Sequence, residues 1–309
     1  MRTNWSGALP ARFRRPRVLI VGCGDVGLRV AALWRGRPLT VRAMTSQAQR
    51  VPQLRAAGVT PLVGDLDVPA TLARLAGLAT RVLHLAPPRS DGVGRDVWCD
   101  TRSRALALAL ARHGAPQALV YASTSGVYGD CAGAKVPETR PAAPATARAW
   151  RRLDAERRWR WFGRATGARV TLLRIPGIYA PDRPGGPVER LRRGTPVLRG
   201  ENDVYTNHIH ADDLARACVA ALWRGLPQRV VHVCDDTEWR MGDYFDWVAD
   251  LHGLPRPPRV ARADAQRQLP PMLLSFMSES RRLDNTRLKR ELRLRLRYPD
   301  VRAGWTRAG

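Results

Sequence analysis

The sequence predicts an α/β protein with a doubly wound parallel sheet and a small discontinuous lobe late in the chain. Three observations carry this. Short continuous apolar runs rich in β-branched residues alternate with longer amphipathic stretches. A glycine-rich turn lies directly after the first run, at Gly22, Gly24 and Gly27. Proline- and glycine-dense segments interrupt the alternation only after about residue 180.

Taken in order, Arg17 to Val21 reads as a buried parallel strand bounded by Pro16 and Gly22. Val26, Val30, Leu33 and Trp34 recur at helical spacing, and Gly36 with Pro38 supplies a stop. Further strands are expected at 40–44, 59–63, 82–86, 118–123, 170–174 and 229–233, with helices at about 95–113, 146–166 and 212–224. Such alternation places helices on both faces of the sheet. Residues 1–16 read as a basic mobile tail. The segments 181–206 and 235–300 read as the lobe, with helices around Leu251 and from Arg287 to Arg297. The sheet domain takes 17–180 and about 207–234.

Composition narrows the class. A chain of 309 residues with 44% hydrophobic content can bury a large core. It has no apolar run long enough to span a bilayer and no signal-like start, so a soluble cytoplasmic protein is expected. The five cysteines lack paired spacing, so neither a disulfide framework nor a metal site is expected. The formal charge of +25 would attract polyanions. Yet Lys135 and Lys289 are the only lysines among 52 basic residues, a bias toward arginine spread along the chain. With no nucleic-acid motif beside it, nucleic acid is not an expected partner. The tryptophans Trp150, Trp159 and Trp161 read as one partly buried helix face.

The turn from Gly22 to Gly27 follows a strand and opens a helix, the context that makes such a spacing a dinucleotide site of the Rossmann type. Gly22 permits the tight turn, Gly24 the approach of a pyrophosphate and Gly27 close packing of helix on strand, with Asp25 and Val26 in the first helical turn. The helix N-terminus then faces the phosphates. The second strand ends in Thr45 and Ser46 without the carboxylate that holds ribose hydroxyls in NAD sites. Their hydroxyls, with Arg50 or Arg42, favour NADP over NAD.

Four further stretches bear a resemblance. These are VLHLAP at 82–87, YASTSGVYGD at 121–130, LRIPGIYAP at 173–181 and NHIHADDLA at 207–215. In this order, over roughly residues 17–300, the chain resembles the NAD-dependent epimerase/dehydratase family, the extended short-chain dehydrogenase/reductases. Ala180 stands where the family has glycine. The resemblance implies that Asp65 and Leu66 meet the adenine, Leu85, Ala86 and Pro87 the nicotinamide ribose, and Pro176 to Ile178 the carboxamide, with Ser123 in the cofactor set. Thr124 falls at the family's catalytic Ser or Thr. A small-molecule substrate and a homodimer are implied in the same way.

One part of the pattern is missing. The family passes a proton through a Tyr whose pKa is lowered by a Lys four residues later. Here the matching positions are about Arg148 and Arg152. Guanidinium does not titrate near neutrality, so Arg152 can replace only the lysine's charge. Tyr128, Tyr179, His84, His208, His210 and Asp182 are the remaining candidates for the proton carrier. They also have plainer readings as packed aromatics, a satisfied histidine and, for His210 with Asp212 and Asp213, the cap of a helix beginning near Leu214. Two functions follow: an atypical oxidoreductase or epimerase acting on a small carbonyl or sugar-derived substrate bearing phosphate or carboxylate, with Thr124 polarising the reacting oxygen, or a non-catalytic dinucleotide sensor.

Overall fold

The structure is a computed structural model and describes residues 15–90 and 97–306. The expected basic tail, apart from its last residues, and the start of the helix expected from about residue 95 lie outside the described residues.

Seven strands build one parallel sheet: β1 (Arg17–Val21), β2 (Thr40–Thr45), β3 (Thr60–Val63), β4 (Arg81–His84), β5 (Ala118–Thr124), β6 (Arg169–Ile175) and, after two short strands β7 (Gly177–Tyr179) and β8 (His208–His210), β9 (Arg229–His232). Their order is β9-β6-β5-β4-β1-β2-β3. The chain therefore winds outward from β1 through β3, then returns to β4 on the other side of β1. That reversal opens a crevice at the carboxyl ends of β1 and β4, where ligands bind in such sheets. The expected fourth strand stops at His84 rather than Ala86, because the N–H groups of Leu85 and Ala86 both donate to the Val21 carbonyl, at 2.8 and 3.0 Å.

The helices that frame the sheet and the site include α1 (Asp25–Leu33), α2 (Thr101–Ala111), α3 (Ala147–Thr166), α4 (Pro187–Arg192), α5 (Ala211–Arg224) and α6 (Met241–Leu251). Strand periodicity decides which face each residue serves. Val18 and Ile20 pack with Val30 of α1 and Leu214 and Cys218 of α5, whereas Leu19 and Val21 pack with Leu106 of α2 and Trp159 and Phe162 of α3. The α3 aromatics thus divide, Trp159 buried and Trp161 exposed. Four of the five cysteines are buried and Cys99 is exposed. No helix among the described residues is long and apolar enough to cross a membrane.

A second core forms from Leu191 of α4, Val197, Leu198 and Val204, closed by Met241, Tyr244, Phe245 and Val248 of α6 and by Met277. The expected lobe helix from Arg287 to Arg297 is a correction. Only Thr286–Arg290 is helical, and Leu288, Leu292 and Leu294 join the core of the sheet. Arg287 Nη1 donates to the Val230 carbonyl at 3.0 Å and Arg229 pairs with Glu291, so this segment covers the edge strand β9. An open edge exposes unpaired backbone groups, which is the physical reason for covering it.

Candidate dinucleotide and substrate site

The glycine turn has the shape its spacing predicts. Gly22 has φ +85°, and a Cβ there would lie 2.4 Å from the Ala86 nitrogen, so only glycine lets β1 and β4 ends approach. At Gly24 a Cβ would meet no atom within 4 Å. The space above this residue is open, as a cradle for a pyrophosphate must be. Gly27 packs on Cys23 and Ile20, seating α1 against β1. Gly24 caps α1 without any side-chain acceptor, leaving the positive helix end facing the opening.

A cleft of about 310 Å³ adjoins this turn, lined by Gly22 and Gly24, by Thr45, Ser46 and Arg50, by Asp65 and Leu66, and by Leu85, Ala86 and Pro87. Arg42, on the strand, is not among the lining residues. Arg102 is, and local sequence gave no sign of it. It pairs with Asp67 at 2.6 Å and donates to the Pro87 carbonyl at 3.1 Å. Within the turn, the Asp25 carboxylate is held by Arg29 Nε at 3.1 Å and by Arg183 Nη1 at 2.9 Å. Thr45 Oγ1 accepts from Gln47 N–H at 3.2 Å, and Arg50 Nε donates to Gln53. The residues present fit a dinucleotide: an open glycine cradle, an uncapped helix end, and hydroxyls with a cation at the end of β2.

Across the ends of β5 and β6 lies a larger cavity of about 490 Å³, bounded on its outer side by the lobe. Thr124, Arg148 and Arg152 line it, as do Pro176 and Ile178. Thr124 Oγ1 accepts from Gly126 N–H at 3.2 Å, which leaves its own proton to donate. Arg152 Nη1 donates to the Ala122 carbonyl at 2.5 Å and to the Tyr121 hydroxyl at 3.3 Å, fixing a positive charge at the strand end. Ser123 is turned elsewhere: its hydroxyl donates to Glu156 at 2.6 Å, and Glu156 in turn is bound by Arg174. It belongs to neither lining set.

Among the described residues lining the larger cavity Glu279 is the only carboxylate, and no motif in the sequence marks it. Its Oε2 accepts from Arg281 Nη2 at 2.7 Å. A Cβ placed on Gly126 would lie 3.6 Å from Thr124 Oγ1 and 3.8 Å from Glu279 Oε2, so hydroxyl and carboxylate both border the space beside Gly126. Nothing in the stretch Met277 to Ser280 marks this role, since it arises from a lobe segment folding back over β5.

The other candidates are mostly committed. Tyr128 hydrogen-bonds His232 and His84 Nε2 lies 3.2 Å from the Ser103 hydroxyl. Burial pushes the imidazoles of His84 and His208 down to about 3, so neither ring protonates near neutrality. The Tyr179 hydroxyl donates to the Asp300 carbonyl, and burial raises its pKa far above the ordinary range. His210 caps α5 through Nδ1, accepting from Asp212 N–H at 3.2 Å. The helix begins at Ala211 rather than near Leu214, so Asp212 and Asp213 stand within its first turn. Asp182 pairs with Arg29 at 2.6 Å. Among the described residues no cluster of His, Cys, Asp and Glu is arranged to hold a metal.

Residues 18–234 match the NAD dependent epimerase/dehydratase family. No curated protein matches the chain in sequence. Among solved structures, a functionally unknown conserved protein from Silicibacter pomeroyi is similar at 30% identity, with 94% of this chain and 96% of that one covered and a TM-score of 0.73. UDP-glucose 4-epimerase from Thermotoga maritima, solved with UDP-glucose, is similar at 20% identity over 93% of this chain and 96% of its own, with a TM-score of 0.75. UDP-glucuronic acid 4-epimerase from Bacillus cereus, in complex with NAD, follows at 18% identity, 93% and 95% coverage and a TM-score of 0.73. The last two likenesses speak to fold alone.

Proposed function

The chain belongs to the NAD dependent epimerase/dehydratase family, and from that premise we propose that it is an enzyme, an atypical oxidoreductase or epimerase acting on a small sugar-derived substrate at a hydroxyl or carbonyl carbon. The presence of Thr124 and Glu279 together in the larger cavity, both bordering the space beside Gly126, carries this reading. A sensor needs the cofactor cradle but has no use for a hydroxyl donor and a carboxylate meeting beside it.

A bound nicotinamide dinucleotide would supply hydride exchange. Gly22, Gly24 and the start of α1 would hold its pyrophosphate, Asp65 and Leu66 the adenine side, and Leu85 to Pro87 with Pro176 and Ile178 the nicotinamide side. Thr124 donates to the reacting oxygen of the substrate. Glu279 takes the hydroxyl proton as the carbonyl forms and returns it on reduction, the work that neither Arg148 nor Arg152 can do. Arg152, tied to the Ala122 carbonyl, fixes positive charge where the family has lysine. Thr45, Ser46 and Arg50 at the end of β2 favour NADP.

Calorimetric titration with NADPH and NADH, then NADPH consumption across a panel of sugar nucleotides and small carbonyl compounds, tests the reading. Expected are tighter binding of NADPH and turnover that Thr124→Ala lowers on the order of 100-fold. Tight cofactor binding with inertness across the panel would favour the sensor, which the absent Tyr and Lys make the second reading.

A further inference from the structure

Among the described residues, five arginines line the larger cavity, against one carboxylate. Four have partners on the protein. Arg183 bonds Asp25, Arg281 bonds Glu279 and the Gly129 carbonyl, Arg152 bonds the Ala122 carbonyl, and Arg148 stacks on Phe276 with its carbon 4.7 Å from the ring centre. Arg190 differs. Its Nε and Nη2 are buried and have no hydrogen-bond partner.

These two nitrogens form one edge of the guanidinium, the fork that meets two oxygens of a carboxylate or phosphate side by side. Phe245 backs the group, 4.4 Å from ring centre to guanidinium carbon, so the plane is held by stacking while its edge has no partner on the protein. Leaving buried donors unpaired is unfavourable, because they have given up water without gaining a partner. Burial also pulls the Arg190 pKa down to about 10, because desolvation disfavours the charged form.

We propose that Arg190 is the anion receptor of the substrate lobe: its Nε–Nη2 edge binds the phosphate or carboxylate of the substrate and so sets which carbon reaches Thr124. The assignment rests on the reading of this cavity as a substrate pocket, and it adds the chemical class and the residue that selects it. Position supports it. Both residues line the same cavity, Arg190 from α4 in the lobe and Thr124 from the end of β5, so a ligand that met both would be held between lobe and sheet.

The experiment is calorimetric titration of the NADPH-loaded protein with UDP, inorganic pyrophosphate, inorganic phosphate and malonate, on the wild type, Arg190→Gln and Arg190→Lys. The wild type is expected to bind at least one of these anions, and Arg190→Gln to bind it at least about tenfold more weakly. Arg190→Lys keeps the charge and loses the fork, so it is expected to stay weak. NADPH affinity should not change. Without the anion, Arg190→Gln should melt no lower than the wild type, since it removes an unpaired buried cation. UDP alone binding points to a nucleotide diphosphate, and malonate alone to a carboxylate substrate; either outcome supports the fork. Equal anion binding by wild type and Arg190→Gln, no anion binding by the wild type, or a marked loss of melting temperature in Arg190→Gln overturns it. Anion binding lost in Arg190→Gln without any NADPH turnover would keep the fork and overturn only the enzyme reading.

Discussion

The Tyr128 hydroxyl lies 2.6 Å from His232 Nε2, and His232 Nδ1 lies 2.9 Å from the Asp284 carbonyl. This buried chain joins the turn after β5 to the edge strand β9 and to the segment that covers it. A carbonyl accepts only, so Nδ1 carries the imidazole proton and Nε2 accepts from the phenol. Tyr128 is thereby spent on structure. Tyr128→Phe is expected to lower stability by about 1–3 kcal/mol, the cost of an unpaired buried nitrogen. Chemical denaturation measures the loss, and NADPH affinity should be unaltered.

The first two glycines of the turn should respond in opposite ways. Gly22→Ala puts a methyl 2.4 Å from the Ala86 nitrogen in a positive-φ conformation. A loss of about 3 kcal/mol or more is expected, read by denaturation or as failure to fold. Gly24→Ala meets open space, so stability should change by no more than about 1 kcal/mol. Its methyl would stand where the pyrophosphate approaches, and NADPH binding is expected to weaken by roughly tenfold or more.

The proposed chemistry gives two linked expectations. On any substrate that supports NADPH turnover, Thr124→Ala and Glu279→Gln should each lower kcat on the order of 100-fold. Cofactor affinity measured by calorimetry should stay near the wild-type value. A Glu279→Gln enzyme with unchanged kcat and pH profile would assign the proton to another group.

Stability should also depend on pH through Asp235. Burial pushes this carboxyl up to about 8, although Thr237 N–H donates to it and pulls the other way. A carboxyl whose folded pKa exceeds its unfolded value of about 3.9 contributes stability that is whole below that value. The contribution falls away as pH rises toward 8. Thermal denaturation of the wild type between pH 5 and 9 should therefore show a falling component that Asp235→Asn removes. An identical pH dependence in wild type and variant would refute the assignment.

Much of the fold was legible in the chain because its causes are local. β1 was read from an apolar run ending at a glycine, and α3 and α5 from their spacing, each within a residue or two of its observed bounds. The glycine turn was legible because each glycine answers a steric demand set by its immediate neighbours. The cleft beside it held the predicted Thr45, Ser46, Arg50 and Asp65. Ser123 joins neither lining because strand alternation turns its hydroxyl toward Glu156 while its neighbour Thr124 faces the cavity.

By itself, then, the sequence determined the order of strands and helices, the glycine turn and the absence of the Tyr and Lys pair. Periodicity, glycine sterics and residue identity are all properties of short stretches. Tertiary structure decided the rest. Only the fold-back of the lobe brings Glu279 toward Thr124, and only packing of α4 on α6 leaves the edge of Arg190 unpaired above Phe245. Leu288, Leu292 and Leu294 likewise face the sheet because β9 needs a cover. Such pairings join residues far apart in the chain, and their energies depend on which groups lose water together, a quantity that no local pattern records.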